Sequence, residues 1–349
     1  MSIAEKFAEK LTTIASNVPR VYEAGAKSEY DRFWDAYQQN GTREVYEYAF
    51  AGNGWNNDTL KPKHPICPTF ASNLFLNCTY AGDLRDLRVT FDFSQCQTIS
   101  NLFGYFGGLT AVGDIDTTSS PTCTALFIKD RALVTIKKLI LKDDGSQTFT
   151  NCFLNNDSLR NIEIEGVIGQ DIDFQHSTKL SKASIKSIID ALSSSVSGNS
   201  VSLSRGAVIE AFRSGENLLS EPYIDSTKVE NGITFTDNGD GTITANGTAT
   251  ADATYNVKVF KTTPDDSFVL VGCPVGGSAS TYYIAYEGYG RDYGNGVMWD
   301  GSREFWDTVI IVIKKGTKVS NLKFAPQINN INEWNALVAT KSKWTINLL

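Results

Sequence analysis

A phenylalanine followed by three apolar residues at fixed spacing recurs through the first half of this chain. Phe103, Leu109, Val112 and Ile115 are separated by six, three and three residues, and Phe127, Leu133, Ile136 and Leu139 keep that spacing. Phe153, Leu159 and Ile162 repeat it, with Ile164 closing the unit. Phe75 with Leu84, Leu87 and Val89 fits after a three-residue insertion. From one phenylalanine to the next the chain advances 28, 24 and 26 residues. A unit this short cannot bury its own apolar face, so a period in the twenties predicts a solenoid whose turns cover one another. Cys78, three residues after its phenylalanine, and Cys152, just before its own, are expected at buried positions in that stack.

The period breaks after residue 216. Ahead of the break, Ala183–Leu192 reads as a helix, Val201–Leu203 as a strand and Arg205–Phe212 as a new helix. Beyond residue 328, Glu333–Ala339 and Trp344–Leu348 supply a helix and a strand again. Ile-Ile-Asp-Ala-Leu then Val-Ser-Leu is matched by Trp-Asn-Ala-Leu-Val then Ile-Asn-Leu, as two consecutive turns of one repeat. Residues 217–328 are therefore expected to be a module inserted at an exposed turn. Such insertions are tolerated where the module's ends lie close together. Gly215 and Asn329 are thus expected to be neighbours.

The insert has the signature of short strands. Ile233-Thr-Phe-Thr and Thr242-Ile-Thr-Ala flank Asp237-Asn-Gly-Asp-Gly, a hairpin signal with glycines for positive φ. Further strands are expected at Tyr255–Phe260, Phe268–Gly272, Tyr282–Glu287, Thr308–Ile313 and Leu322–Pro326. Six or more short strands in about 110 residues predict an all-β sandwich or jelly roll. Asp237 and Asp240 offer oxygen ligands that suit calcium, although a plain turn accounts for both.

The fold class expected is multidomain α+β. Residues 1–60 form a short N-terminal helical region for attachment or oligomerisation, 61–216 the solenoid, 217–328 the inserted sandwich and 329–349 the solenoid's last turn. In the first region Phe7, Leu11, Ile14, Val18 and Val21 recur in steps of four and three, an a/d seam of about two heptads. A seam this short permits a homotrimer without requiring one. Ser28–Gln39 reads as a second helix, with Tyr30, Phe33, Trp34 and Tyr37 on one broad face.

Several classes of function fit poorly. A formal net charge of −7 argues against nucleic acid, whose phosphates demand clustered Lys and Arg. No apolar run approaches the roughly 20 residues that span a bilayer, and residues 1–10 lack the basic start and apolar block of a signal peptide. The six cysteines form no CxxC pair, which favours free buried thiols over disulfides. His64 and Cys67 lie three apart with no second pair to complete a metal site, so neither a metal nor a cofactor is expected. An enzyme is the least favoured class. No nucleophile motif is present, although spacing alone leaves Asp292 with Asp300 or Glu304 open as a glycosidase pair.

The densest chemistry lies between Tyr282 and Trp306. Tyr282, Tyr283, Tyr286, Tyr289, Tyr293, Trp299, Phe305 and Trp306 are interleaved there with Gly288, Gly290, Gly294 and Gly296. Aromatic faces stack on the C–H faces of sugar rings, and Tyr and Trp add a polar edge. Arg291, Asp292, Asn295 and Asp300 are candidates to bond sugar hydroxyls. Strand alternation puts Tyr282, Ile284 and Tyr286 on one face and Tyr283 with Glu287 on the other. The strand tyrosines fit a core as well as a ligand, whereas Tyr289, Tyr293 and Trp299 sit in the Gly-rich stretch. The candidate ligand-binding set is Tyr289, Arg291, Tyr293, Asn295, Trp299, Asp300 and Trp306.

Several stretches carry family resemblances. Asn73-Leu-Phe-Leu-Asn-Cys and Thr150-Asn-Cys-Phe-Leu-Asn-Asn-Asp-Ser-Leu-Arg-Asn-Ile resemble BspA-like leucine-rich repeats of bacterial and prophage proteins. Val18-Pro-Arg-Val-Tyr-Glu-Ala-Gly, followed by Tyr30-Asp-Arg-Phe-Trp-Asp-Ala-Tyr-Gln-Gln-Asn-Gly, is similar to the head of such proteins in phage tail regions of Firmicutes. Trp334-Asn-Ala-Leu-Val-Ala-Thr-Lys-Ser-Lys-Trp-Thr-Ile-Asn-Leu is similar to their C-terminal cap. The insert's Asn217-Leu-Leu, its hairpin and Phe324-Ala-Pro-Gln-Ile resemble jelly-roll modules of phage tail and carbohydrate-binding proteins.

These resemblances imply a tail adhesin or receptor-binding protein of the virion that meets a bacterial surface glycan through the insert. They also imply contact with other tail or baseplate proteins through the N-terminal helices. A structural tail component making protein contacts, and a bacterial surface adhesin, are the alternatives.

Overall fold

The computed structural model describes residues 71–78, 82–83, 93–215, 217–219, 227–261, 267–286, 290–299 and 306–349. The expected N-terminal helices, with Phe7, Leu11, Ile14, Val18 and Val21, and also His64 and Cys67, lie outside the described residues. The fold is mixed α/β. It is mostly strands in five small sheets, some parallel and some antiparallel, with three short helices among the described residues. None of those helices is long and apolar enough to cross a membrane.

In chain order come β1 (Gly82–Asp83), β2 (Leu109–Asp116), β3 (Thr135–Ile140), β4 (Asn161–Glu165), β5 (Ile172–Phe174), α1 (Lys182–Ala191), β6 (Ser200–Leu203) and α2 (Arg205–Phe212). There follow β7 (Lys228–Glu230), β8 (Ile233–Asp237), β9 (Ile243–Thr248), β10 (Ala253–Lys261), β11 (Phe268–Val271) and β12 (Tyr282–Tyr286). The last are β13 (Gly290–Asp292), β14 (Val297–Trp299), β15 (Trp306–Ile313), β16 (Lys318–Phe324), β17 (Gln327–Asn330), α3 (Asn332–Ala339) and β18 (Thr345–Leu348). The chain divides into two compact units. One runs to Ser204 and resumes at Lys341–Leu349, and the other is Arg205–Thr340.

The first unit stacks β1 to β4 as a parallel sheet in chain order. Register pairs Val112 with Ile136 and Ile136 with Ile162, then Ile115 with Leu139 and Leu139 with Ile164. The apolar residues that recur in sequence are therefore neighbours in space. The phenylalanines stack as well, with ring centroids 5.5 Å apart for Phe75–Phe103, 5.4 Å for Phe103–Phe127 and 5.9 Å for Phe127–Phe153. Phe174 adds a further rung at 4.3 Å from Phe153.

Around each of the first four phenylalanines the backbone twice enters the left-handed region. Positive φ falls two residues before and two after each ring, at Asn73 and Asn77, Asn101 and Tyr105, Ala125 and Lys129, Asn151 and Asn155. Asparagine tolerates this region better than other side chains, which explains its recurrence in the sequence. The twists aim alternate N–H groups at the next unit. Those of Asn101, Phe103 and Tyr105 donate to the carbonyls of Thr124, Leu126 and Ile128, and those of Ala125, Phe127 and Lys129 to Thr150, Cys152 and Leu154. The intervening N–H groups of Leu102, Gly104, Leu126 and Ile128 return to the carbonyl three residues back.

Three residues after each ring runs a buried column: Cys78, Phe106, Asp130, Asn156 and Ser177. Asn156 donates its amide to Phe127 O at 2.8 Å and Asp130 O at 3.3 Å. Asp130 accepts from Phe106 N at 2.7 Å through one oxygen, while its Oδ2 has no hydrogen-bond partner. Burial pushes the Asp130 carboxyl well above the usual carboxylate range, against the smaller opposing pull of the Phe106 N–H. Cys78, Cys96, Cys123 and Cys152 are buried thiols outside any disulfide.

The sheet stops at α1, which packs on β4. The N–H groups of Ile162 and Ile164 would serve a fifth strand, but they donate instead to Ser184 Oγ at 2.9 Å and Ser187 Oγ at 2.8 Å. Ser184 Oγ in turn donates to Arg160 O at 3.0 Å. Two helix serines thus satisfy the edge that a strand otherwise covers.

A second parallel sheet then forms in the order β18-β6-β5. Residues 200–203 pair with 345–348 although the whole second unit separates them in sequence. The returning segment is fastened to the end of α1. Lys341 Nζ donates to Asp190 O and Leu192 O, Lys343 Nζ to Ser194 O, and Trp344 Nε1 to Ser193 O at 2.8 Å. Cations beside a helix's last carbonyls complement its dipole.

The second unit holds three antiparallel sheets, ordered β10-β15-β12-β13, β14-β11-β17 and β16-β9-β8-β7. A single buried cluster joins them, with Phe235, Ile243, Tyr255, Phe268, Ile284, Ile311 and Phe324 among its members. β7, β13, β14 and β17 are strands of three or four residues that strand patterning does not flag.

At the hairpin Asp237 accepts from Gly239 N at 2.9 Å, and Asp240 takes up Thr242 and Lys323. The two aspartates that offered calcium ligands are thus both engaged in the turn and its neighbours. Backbones meet closely at Gly272, where a Cβ would lie 1.9 Å from Ala325 O. Within this unit the two ends of the segment expected as an insert are adjacent: Ser214 N donates to Asn330 O at 2.9 Å and Ile328 N to Asn217 Oδ1 at 3.0 Å. α2 and α3 belong to this unit, where Phe212 and Trp334 lie 5.3 Å apart.

Two measurements probe these features. Asp130→Asn reproduces the chemistry of Asn156 one rung earlier and should raise stability at pH 7 by about 1–3 kcal/mol, the cost of one unsatisfied buried polar group. A carboxyl whose folded pKa is raised contributes fully below its unfolded value, near 4, and loses that contribution as pH rises toward the folded value. The advantage of the Asp130→Asn variant over the wild type should therefore shrink at pH 4, and urea midpoints at the two pH values read it. Ser184→Ala orphans Ile162 N–H and should lower the midpoint by about 1–3 kcal/mol equivalent; an unchanged midpoint would contradict the edge-cap role.

Candidate functional site

β12 divides its tyrosines between two faces. Tyr282 and Tyr286 turn to the core, edge-on to Phe324 at 5.9 Å and to Phe268 at 5.6 Å. Tyr283 and Ala285 lie on the opposite face, beside Val312 and Ile310 of β15, their register partners. There the Tyr283 ring meets Tyr293 edge-on at 5.8 Å, and the Arg291 guanidinium sits 4.8 Å above it. Tyr293 is a hydrogen-bond partner of Arg291 and, with Tyr283, holds the guanidinium even more firmly in its charged form.

β13 alternates in the same way. Arg291, opposite Ala285, is exposed, whereas Asp292 is fully buried. Asp292 Oδ1 accepts from Gly294 N and Gly296 N, each at 2.7 Å, and Oδ2 accepts from Cys273 N at 2.9 Å. Gly294 and Gly296 have φ of 112° and 75°, which a residue with a Cβ resists. One carboxylate thus clamps the 293–296 turn to the 273–278 loop. A Cβ at Gly277 would meet Tyr282 O at 2.8 Å and Tyr293 O at 2.9 Å, so the loops touch through bare backbone. Tyr282 OH donates to Val275 O at 3.0 Å, and Val275 itself is 91% exposed. Burial first, and the Asp292 charge second, push the Cys273 thiol up to about 12, which makes it a poor nucleophile.

The candidate residues therefore fall into three groups. Arg291 and Tyr293 come together around Tyr283, and Asn295 is exposed in the adjoining turn. Asp292, expected as a sugar ligand, is corrected to a structural role, because all its contacts run to backbone inside the fold. Its role was legible as Asp292-Tyr-Gly-Asn-Gly, where a carboxylate followed by glycines marks an Asx-type turn.

Tyr289 and Asp300 lie outside the described residues, as does the proposed acid partner Glu304. Trp299 pairs with Phe268 through β14, and Trp306 with Lys261 through β15, but their side chains also lie outside the description. Tyr283 and Val275 were absent from the candidate set; the exposure of Val275 leaves no signal in sequence. Among the described residues no group of three His, Cys, Asp or Glu is placed to hold a metal.

The arrangement supplies a planar cation, an aromatic edge and exposed amide chemistry on preset loops, which suits binding. No protein-family model, curated protein or solved structure matches the chain.

Removing the clamp should loosen the site. Asp292→Ala strands three N–H donors and should cost roughly 3 kcal/mol or more. Asp292→Asn, which keeps one acceptor, should cost less. Thermal unfolding of both variants checks the order, and equal midpoints for all three proteins would contradict it.

Proposed function

We propose that this protein is a phage or phage-like tail adhesin that recognises a bacterial surface glycan. The observation that carries this is the Tyr283–Tyr293–Arg291 cluster, set on the face of an antiparallel sheet opposite the core and held by turns clamped from within. Tyrosine faces and edges suit sugar rings, and an exposed guanidinium suits their oxygens. In this reading the parallel-stacked unit is a leucine-rich-repeat solenoid that serves as scaffold. The antiparallel unit is a jelly-roll module inserted into its last turn, as the adjacency of Ser214 and Asn330 and the pairing of β6 with β18 support.

The N-terminal segment would then attach the protein to other tail or baseplate components in the virion, as a homotrimer if its heptad seam assembles. The ligand-binding set proposed is Arg291, Tyr293 and Asn295 with Tyr289, Trp299, Asp300 and Trp306. Exposed Val275 at the same tip favours a second reading, a structural tail component whose contacts are with proteins. Sugar sites seldom need so exposed a valine.

Pull-down of host cells or purified envelope glycan by the intact protein tests the first reading. Binding should fall at least tenfold in Tyr293→Ala with the melting temperature little changed. Failure of the folded wild type to bind any envelope fraction, with capture of virion proteins instead, would favour the second.

A further inference from the structure

We infer that the Tyr283–Tyr293–Arg291 site takes an acidic polysaccharide, with Arg291 gripping an anionic group on it, a uronate carboxylate or a backbone phosphodiester. The inference rests on the glycan-binding reading above and adds the charge of the ligand.

Three observations point to an anion. First, Arg291 is exposed, and among the described residues no carboxylate pairs with it; its partners are the Tyr283 ring and Tyr293. Second, the carboxylate next along the chain cannot neutralise it by direct pairing. Strand alternation turns Asp292 to the interior, where three backbone N–H groups occupy its oxygens. Third, the nearby cation Lys314 is already paired with Asp252, so the unpaired charge is concentrated at one guanidinium.

The guanidinium lies over the Tyr283 ring, which restrains it, and its exposure leaves N–H donors facing solvent. A planar fork of N–H donors matches two oxygens of a carboxylate or phosphate, which neutral sugar hydroxyls cannot imitate. Because the ring already restrains the side chain, less of its freedom remains to be lost on binding. Tyr293 lies beside the guanidinium, and Asn295 is exposed in the same turn to meet the sugar ring that bears the anion.

The test uses the intact protein and three probes: oligogalacturonate, a glycerol-phosphate oligomer and a neutral galacto-oligosaccharide. Binding is measured by calorimetry at low and high salt. At least one acidic probe should bind at least tenfold more tightly than the neutral one, and its affinity should fall as salt rises. Arg291→Gln should remove most of that preference, as should Arg291→Lys, which keeps the charge but loses the planar fork. Both variants should keep the wild-type melting temperature, since the side chain is exposed.

Whichever acidic probe binds identifies the source of the anion. Equal binding of neutral and acidic probes, or an acidic preference that survives Arg291→Gln, would overturn the inference and leave the glycan reading intact. A folded wild type that binds none of the three probes would overturn the inference and count against the glycan reading as well.

Discussion

Hydrogen bonds from alternate backbone N–H groups to the next repeat unit set the geometry of everything in the first unit. For Phe103 and Phe127 to donate outward to Leu126 and Cys152, the residues two positions to either side must twist into the left-handed region. That twist brings each phenylalanine ring over its predecessor and leaves the intervening N–H groups to close short turns. The side-chain stack and the backbone ladder are consequences of one another. Neither exists in an isolated unit of about 25 residues, which has no neighbour to accept its bonds or cover its ring.

Two buried aspartates show how the same residue type meets opposite fates. Asp130 stands in a column otherwise filled by Cys78, Phe106, Asn156 and Ser177, and a single N–H reaches it. With so little compensation, burial drives the group toward its neutral form. Asp292 is equally buried but has three N–H donors from two loops. One is a tolerated misfit within a repeat; the other organises the surface above it. Arg291 and Tyr293 hold their positions because the backbone on both sides of Asp292 is tied down.

Much of this was legible in the sequence, and the failures have physical causes. The phenylalanine period, the strand alternation in Tyr282–Tyr286 and the matching halves on either side of the break all follow from side-chain periodicity. Phe174 escaped notice because its unit is shorter, 21 residues after Phe153, and its strand has only three residues. Ser184 and Ser187 look like ordinary helix residues until β4 is beside them. Asp292 was misassigned because an aspartate among glycines and tyrosines has the composition of a sugar site as well as that of an Asx-type turn, and the parity of β13 decides between them. Asparagine at Asn73, Asn101 and Asn151 marked the backbone twist, whereas Ala125, Tyr105 and Lys129 adopt it with no such signal.

The serine cap on β4 has a consequence for how such a chain changes over generations. Because Ser184 and Ser187 finish the parallel ladder from a helix, the terminus does not depend on how many rungs precede it. Duplicating or losing one unit between Phe75 and Phe153 would alter the stack by about 4.8 Å, one inter-strand step. The α1 cap, and the C-terminal segment fastened to the end of that helix, would be carried along unchanged. The length of the ladder can therefore change in discrete steps, while its end stays the same.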